Sequence, residues 1–161
     1  MSEQKEPLVN QTNVIQVGFV VKDAEKAADY YTRNFGWGPW EWEDAEFKDY
    51  MFRGKKYDYA RQKIALAFHD SVWIELIEPI EGETPASEFL REKGEGINHL
   101  HLGHVEDVDP ILEKLATAGI EPAYRVNFEM SNGIVADALY LNTDDFGGVM
   151  FEFSQSPKDN T

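Results

Sequence analysis

Four polar side chains interrupt runs that are otherwise strongly apolar. They are Gln16 in VIQVGFVV, Glu75 in VWIELIEP, His99 in INHLHL and Glu152 in VMFEF. A carboxylate among β-branched and aromatic neighbours is costly to bury unless it finds a cation or a proton. The spacing of the four repeats along the chain. Gln16 lies 7 residues before Asp23 and His99 lies 8 before Asp107, while Glu75 lies 4 before Pro79 and Glu152 lies 5 before Pro157. A lone strand glutamate would read as a solvent-facing residue on a one-sided sheet. At matching places in a duplicated module, the four read as a set. If two such modules pack about a pseudo-twofold axis, they converge, and they supply one nitrogen and at least three oxygens to a divalent metal.

The elements that must position them follow from pattern. Val14 to Val21 is a β-branched run of strand length, and Lys22-Asp23 supplies a turn and a helix cap. Ala24, Ala27, Ala28, Tyr31 and Phe35 then recur at helical spacing up to the stop at Gly36. Strands are expected around Trp40 to Glu46, Lys63 to Phe68 and Val72 to Ile77. The order returns with a strand at Ile97 to Leu102 and a helix capped by Glu106 to Pro110. That helix carries Ile111, Leu112, Leu115 and Ala116 on one face and stops by Gly119; strands follow near Ala123 to Phe128, Ala136 to Tyr140 and Val149 to Phe153. The expected fold class is α+β: two paired βαβββ modules, 14–79 and 97–155, forming a curved, mainly antiparallel sheet around one metal-binding cleft. The connector 80–96 contains a short helix near Glu83 to Leu90, and 14–155 forms a single domain. Residues 1–13 and 156–161 are expected to be tails, the first of them disordered.

Composition narrows the chemistry. With 15 Lys+Arg against 30 Asp+Glu the net charge is −15, which disfavours nucleic acid and anionic membranes as partners. The absence of cysteine excludes thiolate metal sites and a cysteine nucleophile, and suits a cytoplasmic protein. No apolar run reaches the ~18 residues of a membrane span. There is no HExxH, G-x-S-x-G, Walker A or dinucleotide fingerprint.

Against that acidity, Arg53, Lys55, Lys56, Arg61 and Lys63 crowd one eleven-residue stretch that holds the single acid Asp58. Lys55, Lys56, Arg61 and Lys63 are candidates for a positive lip that binds an anionic substrate; the alternative is a solvated hairpin loop. His101 falls on the same strand face as His99 and is a candidate acid/base group, with a hydrogen-bonded core histidine as the alternative. Trp37, Trp40, Trp42 and Trp73 read more readily as core than as pocket lining.

The segments VIQVGFVVKDAEKAADYYTRNFGWGPW, VWIELIEP, FLREKGEGINHLHLGHVEDVD and GGVMFEF resemble the vicinal oxygen chelate superfamily, which contains glyoxalase I, methylmalonyl-CoA epimerase and the extradiol dioxygenases. The resemblance spans nearly all of 14–155 and implies the glyoxalase/bleomycin resistance fold, with Gln16, Glu75, His99 and Glu152 as metal ligands. It implies a metal-dependent isomerase or epimerase that removes a proton α to a carbonyl, with Glu152 as first and His101 as second candidate base. It also implies one divalent ion (Mn, Co, Ni, Mg or Zn), a small anionic or vicinal-oxygen substrate with an acyl-CoA among the candidates, and a homodimer. A glyoxalase I-like or other lyase is the rival enzyme, and a metal-free ligand-binding protein of the bleomycin-resistance kind is the rival of another class. Two departures matter. Epimerases and dioxygenases usually have His where Gln16 stands, which makes this donor set oxygen-rich and weakens a ferrous dioxygenase reading. The stretch Tyr59 to Lys63 also lacks the glutamate base of the epimerases.

Overall fold

The structure is a computed structural model describing residues 5–155, so the expected tail at 156–161 and the first four residues lie outside the described residues. Its elements run β1 (Gln16–Val20), α1 (Ala24–Phe35), β2 (Glu41–Phe52), β3 (Lys55–His69), β4 (Val72–Glu81) and α2 (Pro85–Lys93). They continue with β5 (Gly96–Val105), α3 (Asp109–Ala116), β6 (Pro122–Glu129), β7 (Val135–Leu141) and β8 (Met150–Gln155). This is βαβββ twice over, joined by α2.

Local chemistry explains the helices. Asp23 caps α1 by accepting the Lys26 N–H at 3.0 Å, and that backbone bond holds its carboxyl below the usual range. Gly36 closes the same helix at φ 71°, a left-handed conformation that glycine adopts without penalty. Thr84 and Ser87 form a reciprocal capping box at the start of α2. The Glu106 to Pro110 cap is looser: α3 has no side-chain cap bond, and Asp107 instead takes the N–H of Asp109 at 3.0 Å.

The eight strands close in the order β1-β4-β3-β2-β6-β7-β8-β5. Curvature therefore goes further than an open cup, because a short β2–β6 ladder, Met51↔Arg125 and Phe52↔Tyr124, seals the far side. Pairing is antiparallel except for β1–β4 and β5–β8. Within each module the first strand therefore lies parallel to the last, and the two first strands meet antiparallel at the β1–β5 seam.

Alternation along the strands separates the layers. Phe47, Tyr50, Phe52, Ile64, Tyr124, Val126, Tyr140 and Met150 pack together as the main core. Ala65 and Leu76 face Ala24 and Ala28 of α1, while Leu139, Leu141 and Phe153 face Ile111, Leu112 and Leu115 of α3. The β2–β3 hairpin is longer than its apolar segments indicate, running to Phe52 and resuming at Lys55. The basic stretch is mostly strand, because its charged residues alternate with residues that pack inward, such as Ala60, Gln62 and Ile64.

Candidate functional site

The β1–β5 seam brings the duplicated positions together. Gln16 lies opposite His101 and Gly18 opposite His99. In the flanking ladders Gly18 pairs with Glu75 and His101 with Glu152. The outcome is two neighbouring rows related by the pseudo-twofold: Gln16-His101-Glu152 and His99-Gly18-Glu75. Partners directly opposite on paired strands share a face, so both rows look the same way.

His99 is the centre of the site and is 0% exposed. Its Nε2 lies 3.1 Å from Glu75 Oε2 and 3.2 Å from Glu152 Oε2, yet it has no hydrogen-bond partner of acceptable geometry. Its Nδ1 lies 3.3 Å from the Tyr140 hydroxyl and 3.4 Å from Asn98 Oδ1. The ring can approach the seam only because residue 18 is glycine; a Cβ there would overlap the imidazole.

Electrostatics show what this arrangement asks for. Burial pushes the His99 imidazole towards neutrality, but Glu152 and Glu75 outweigh it and draw a proton to the ring, up to about 10. Burial likewise opposes the charge on Glu152, and the imidazoles of His101 and His99 bring its carboxyl below the usual range all the same. Burial, reinforced by the Glu152 charge, pushes the Tyr140 hydroxyl well up and keeps it a neutral hydrogen-bonding group. Two carboxylates this close, one buried and one largely so, need positive charge between them, as a proton or as a metal ion.

The donors fit a divalent ion in type: one imidazole and two carboxylates. Neighbouring ligands with bonds of about 2.0–2.2 Å to an ion lie about 3 Å apart, the separations found here. Among the described residues no three such side chains stand around an open common point; Glu75 and Glu152 instead close on the imidazole. The orphaned Nε2 and the donor chemistry together favour the fit.

Gln16 stands in the adjoining row, with its Oε1 3.1 Å from His101 Nδ1. The other nitrogen of His101, Nε2, lies 3.0 Å from Ser154 Oγ. Both ring nitrogens of this buried histidine are therefore engaged. His104 and His69 stand apart from this set: the His104 ring stacks edge-on to His101, and His69 packs against Trp37.

The basic residues are dispersed. Arg61 pairs with Asp44 at 3.1 Å, Lys63 with Glu25 at 3.0 Å, and Arg53 with both Glu88 and Asp144 at 2.8 Å. Lys55 lies over the Tyr57 ring, and neither Lys55 nor Lys56 has a carboxylate partner among the described residues. Of the four tryptophans, Trp42 is exposed and Trp37, Trp40 and Trp73 are at least partly accessible, Trp37 stacking on Tyr31. Sequence reasoning did not single out Tyr140, Asn98 or Ser154. For Tyr140 and Ser154 only strand register shows the relation, Tyr140 opposite Glu152 and Ser154 two residues beyond it.

A closed sheet of two βαβββ modules with a carboxylate from each meeting a buried imidazole at the seam defines a class of paired-module proteins. The family profile of the Glyoxalase/Bleomycin resistance protein/Dioxygenase superfamily matches residues 15–134, and the chain belongs to that superfamily. The match includes Gln16, Glu75 and His99, while Glu152 lies beyond it. No curated protein matches the sequence. Among solved structures, a hypothetical protein from Bacillus halodurans C-125 is similar at 20% identity over 92% of this chain and 97% of that one, with a TM-score of 0.62. A variant of Streptomyces coelicolor methylmalonyl-CoA epimerase in complex with 2-nitronate-propionyl-CoA is similar at 20% identity over 91% and 99%, with a TM-score of 0.60. Methylmalonyl-CoA epimerase from Mycobacterium tuberculosis is similar at 19% identity over 98% and 96%, also with a TM-score of 0.60. At these identities the likeness shows the fold.

Proposed function

We propose that the protein is a divalent-metal-dependent isomerase or epimerase that removes a proton α to a carbonyl of a small anionic substrate. The observation that carries this reading is the convergence of two carboxylates, Glu152 buried and Glu75 largely so, on the orphaned Nε2 of His99. Glu75, His99 and Glu152 would hold the ion, with Gln16 able to add a neutral oxygen from the next row. When bound, the ion would supply Lewis acidity that makes the α C–H of a carbonyl compound acidic.

Glu152 has two roles in this reading: it would help hold the ion at rest and would accept the proton once substrate takes its place. It is buried and ionised, and its sheet partner His101 has both nitrogens engaged, so the carboxylate is the better-placed base. Strand β3 supplies no second carboxylate, since its inward residues include Ala60, Gln62 and Ile64, and Gln62 is bound to Thr84. A base on one face returns the proton to that face, so inversion would require solvent to protonate the opposite one. Lys55 and Lys56, without carboxylate partners, are the part of the basic stretch free to attract an anion. An acyl-CoA is the substrate class to test first, because a structural neighbour is in complex with one.

The test has two stages. Protein purified without chelator should contain a divalent metal or take up Mn²⁺, Co²⁺ or Ni²⁺ to one per chain; failure at both would overturn the metal assignment. Loaded protein incubated with methylmalonyl-CoA in D₂O should introduce one deuterium at C2, read by mass spectrometry. Loaded protein that leaves C2 unlabelled would exclude this substrate as an epimerase substrate and favour lyase chemistry.

A further inference from the structure

Along the inward face of the sheet, exposure changes from one end of the barrel to the other. At the end where the β2–β3 turn lies, Tyr50, Phe52, Tyr124 and Met150 are 2–5% exposed and pack the interior shut. At the opposite end, where β1 and β4 begin and β3 finishes, Phe68 is 53% exposed. Alternation turns Phe68 inward, in step with the buried Ala60, Gln62 and Ile64 of the same strand. Its ring centroid lies 5.0 Å from that of Trp73, its opposite partner on β4, and Trp73 in turn lies opposite Gln16 on β1. The row Gln16-His101-Glu152 therefore continues through Trp73 to Phe68. These stand one and two strands beyond Gln16, about 5 and 10 Å across the sheet.

Two large aromatic rings on the inner face of a barrel, one exposed and one partly so, are not what core packing produces. An inward ring that serves the fold is covered, as those of Phe47, Phe52 and Tyr140 are. A ligand pocket, in contrast, is lined mainly by apolar and aromatic side chains, with a few polar groups that fix orientation. Here the polar groups Glu75, His99 and Glu152 lie deep, and the aromatic pair lies at the mouth.

The geometry points to Phe68 and Trp73 as specificity-determining residues that hold an apolar arm of the substrate at the mouth of the barrel. This deepens the proposed function and rests on it for the position of the reacting carbon. With the substrate's carbonyl oxygens directed to the His99 cluster, a substituent on the carbon that loses its proton has the row past Gln16 as its way towards water. There it meets the two rings. Tilted by 46°, they present a face and an edge to it, which suits a planar or branched hydrocarbon group better than a charged one. The substrate class is then a small carboxylate or carbonyl compound that bears an aryl or bulky alkyl arm. A substrate arm fits these rings better than a second protein does, because they continue the row of site residues on the inner face of the sheet.

Calorimetry on the full-length protein, with and without Mn²⁺, tests this with methylmalonate and phenylmalonate, two dicarboxylates that differ only in that arm. The parent should bind phenylmalonate about tenfold more tightly. Phe68→Ala and Trp73→Leu should each remove most of that preference and leave the affinity for methylmalonate unchanged, whereas a merely structural role would weaken both ligands alike. A parent without the preference, a parent that binds neither dicarboxylate, or a preference that survives both substitutions would overturn the inference. So would a changed oligomeric state in Phe68→Ala with the preference intact, since that would assign the rings to a second copy. A preference that depends on the two rings in protein that takes up no metal would support the inference and overturn the metal assignment instead.

Discussion

The two rows that cross the β1–β5 seam are built from matching positions and have opposite characters. In the row Gln16-His101-Glu152 every position has a side chain, and the central histidine is tied on both sides by Gln16 and Ser154. In the row His99-Gly18-Glu75 the central position is empty, and the histidine swings across it to meet a carboxylate from each module. Duplication provided two equivalent frames. One glycine decides which of them receives the charged cluster, because steric room at residue 18 is the condition for the His99 ring to lie where it does.

The comparison can be broken most severely at its centre. Replacing His99 with alanine leaves the buried Glu152 and the largely buried Glu75 without their shared partner, and a loss of about 3–5 kcal/mol is expected in denaturant unfolding at neutral pH. Binding of Mn²⁺ should disappear in the same variant. Next in size is Gly18→Ala: the added methyl collides with the ring and should destabilise by about 1–3 kcal/mol. In the His99→Ala background that penalty should nearly vanish, which a double-mutant cycle reads directly. Equal penalties in both backgrounds would show that the glycine serves the strand rather than the histidine.

A gentler change sharpens the contrast between rows. Gln16→His gives both modules an imidazole and should move metal preference from Mn²⁺ towards Zn²⁺ by about tenfold in competition titrations. The smallest effect is expected at Lys63→Ala on the exposed pair with Glu25, where solvent screens the charges; the unfolding midpoint should not move measurably. A clear drop there would mean that the basic stretch contributes more than its surface pairs indicate.

Much of this was legible beforehand for a physical reason. Apolar periodicity, caps such as Asp23 and stops such as Gly36 are local, and they gave the order of elements in both modules. The repeat spacing also singled out Glu75, His99 and Glu152, since a polar residue in an apolar strand is conspicuous wherever it occurs. The hairpin around Arg53 was harder to see. Charged residues on one strand face conceal an extended segment when the inward partners are as small as Ala60. Tyr140 and Ser154 carried no local signal at all, because a tyrosine ending an apolar strand and a serine near a polar terminus are unremarkable in composition.

The sequence by itself determined the duplicated βαβββ order, the acidic and cysteine-free chemistry and the set of polar residues held in apolar strands. Those follow from interactions between residues near one another in the chain. Tertiary structure alone decided that the sheet closes, that β1 and β5 meet antiparallel in this register, and that His99 gathers the carboxylates while His101 holds Gln16. Strand register sets these relations. A slip of one residue would turn each of these side chains to the opposite face, and only the packing of the whole barrel fixes which register is formed.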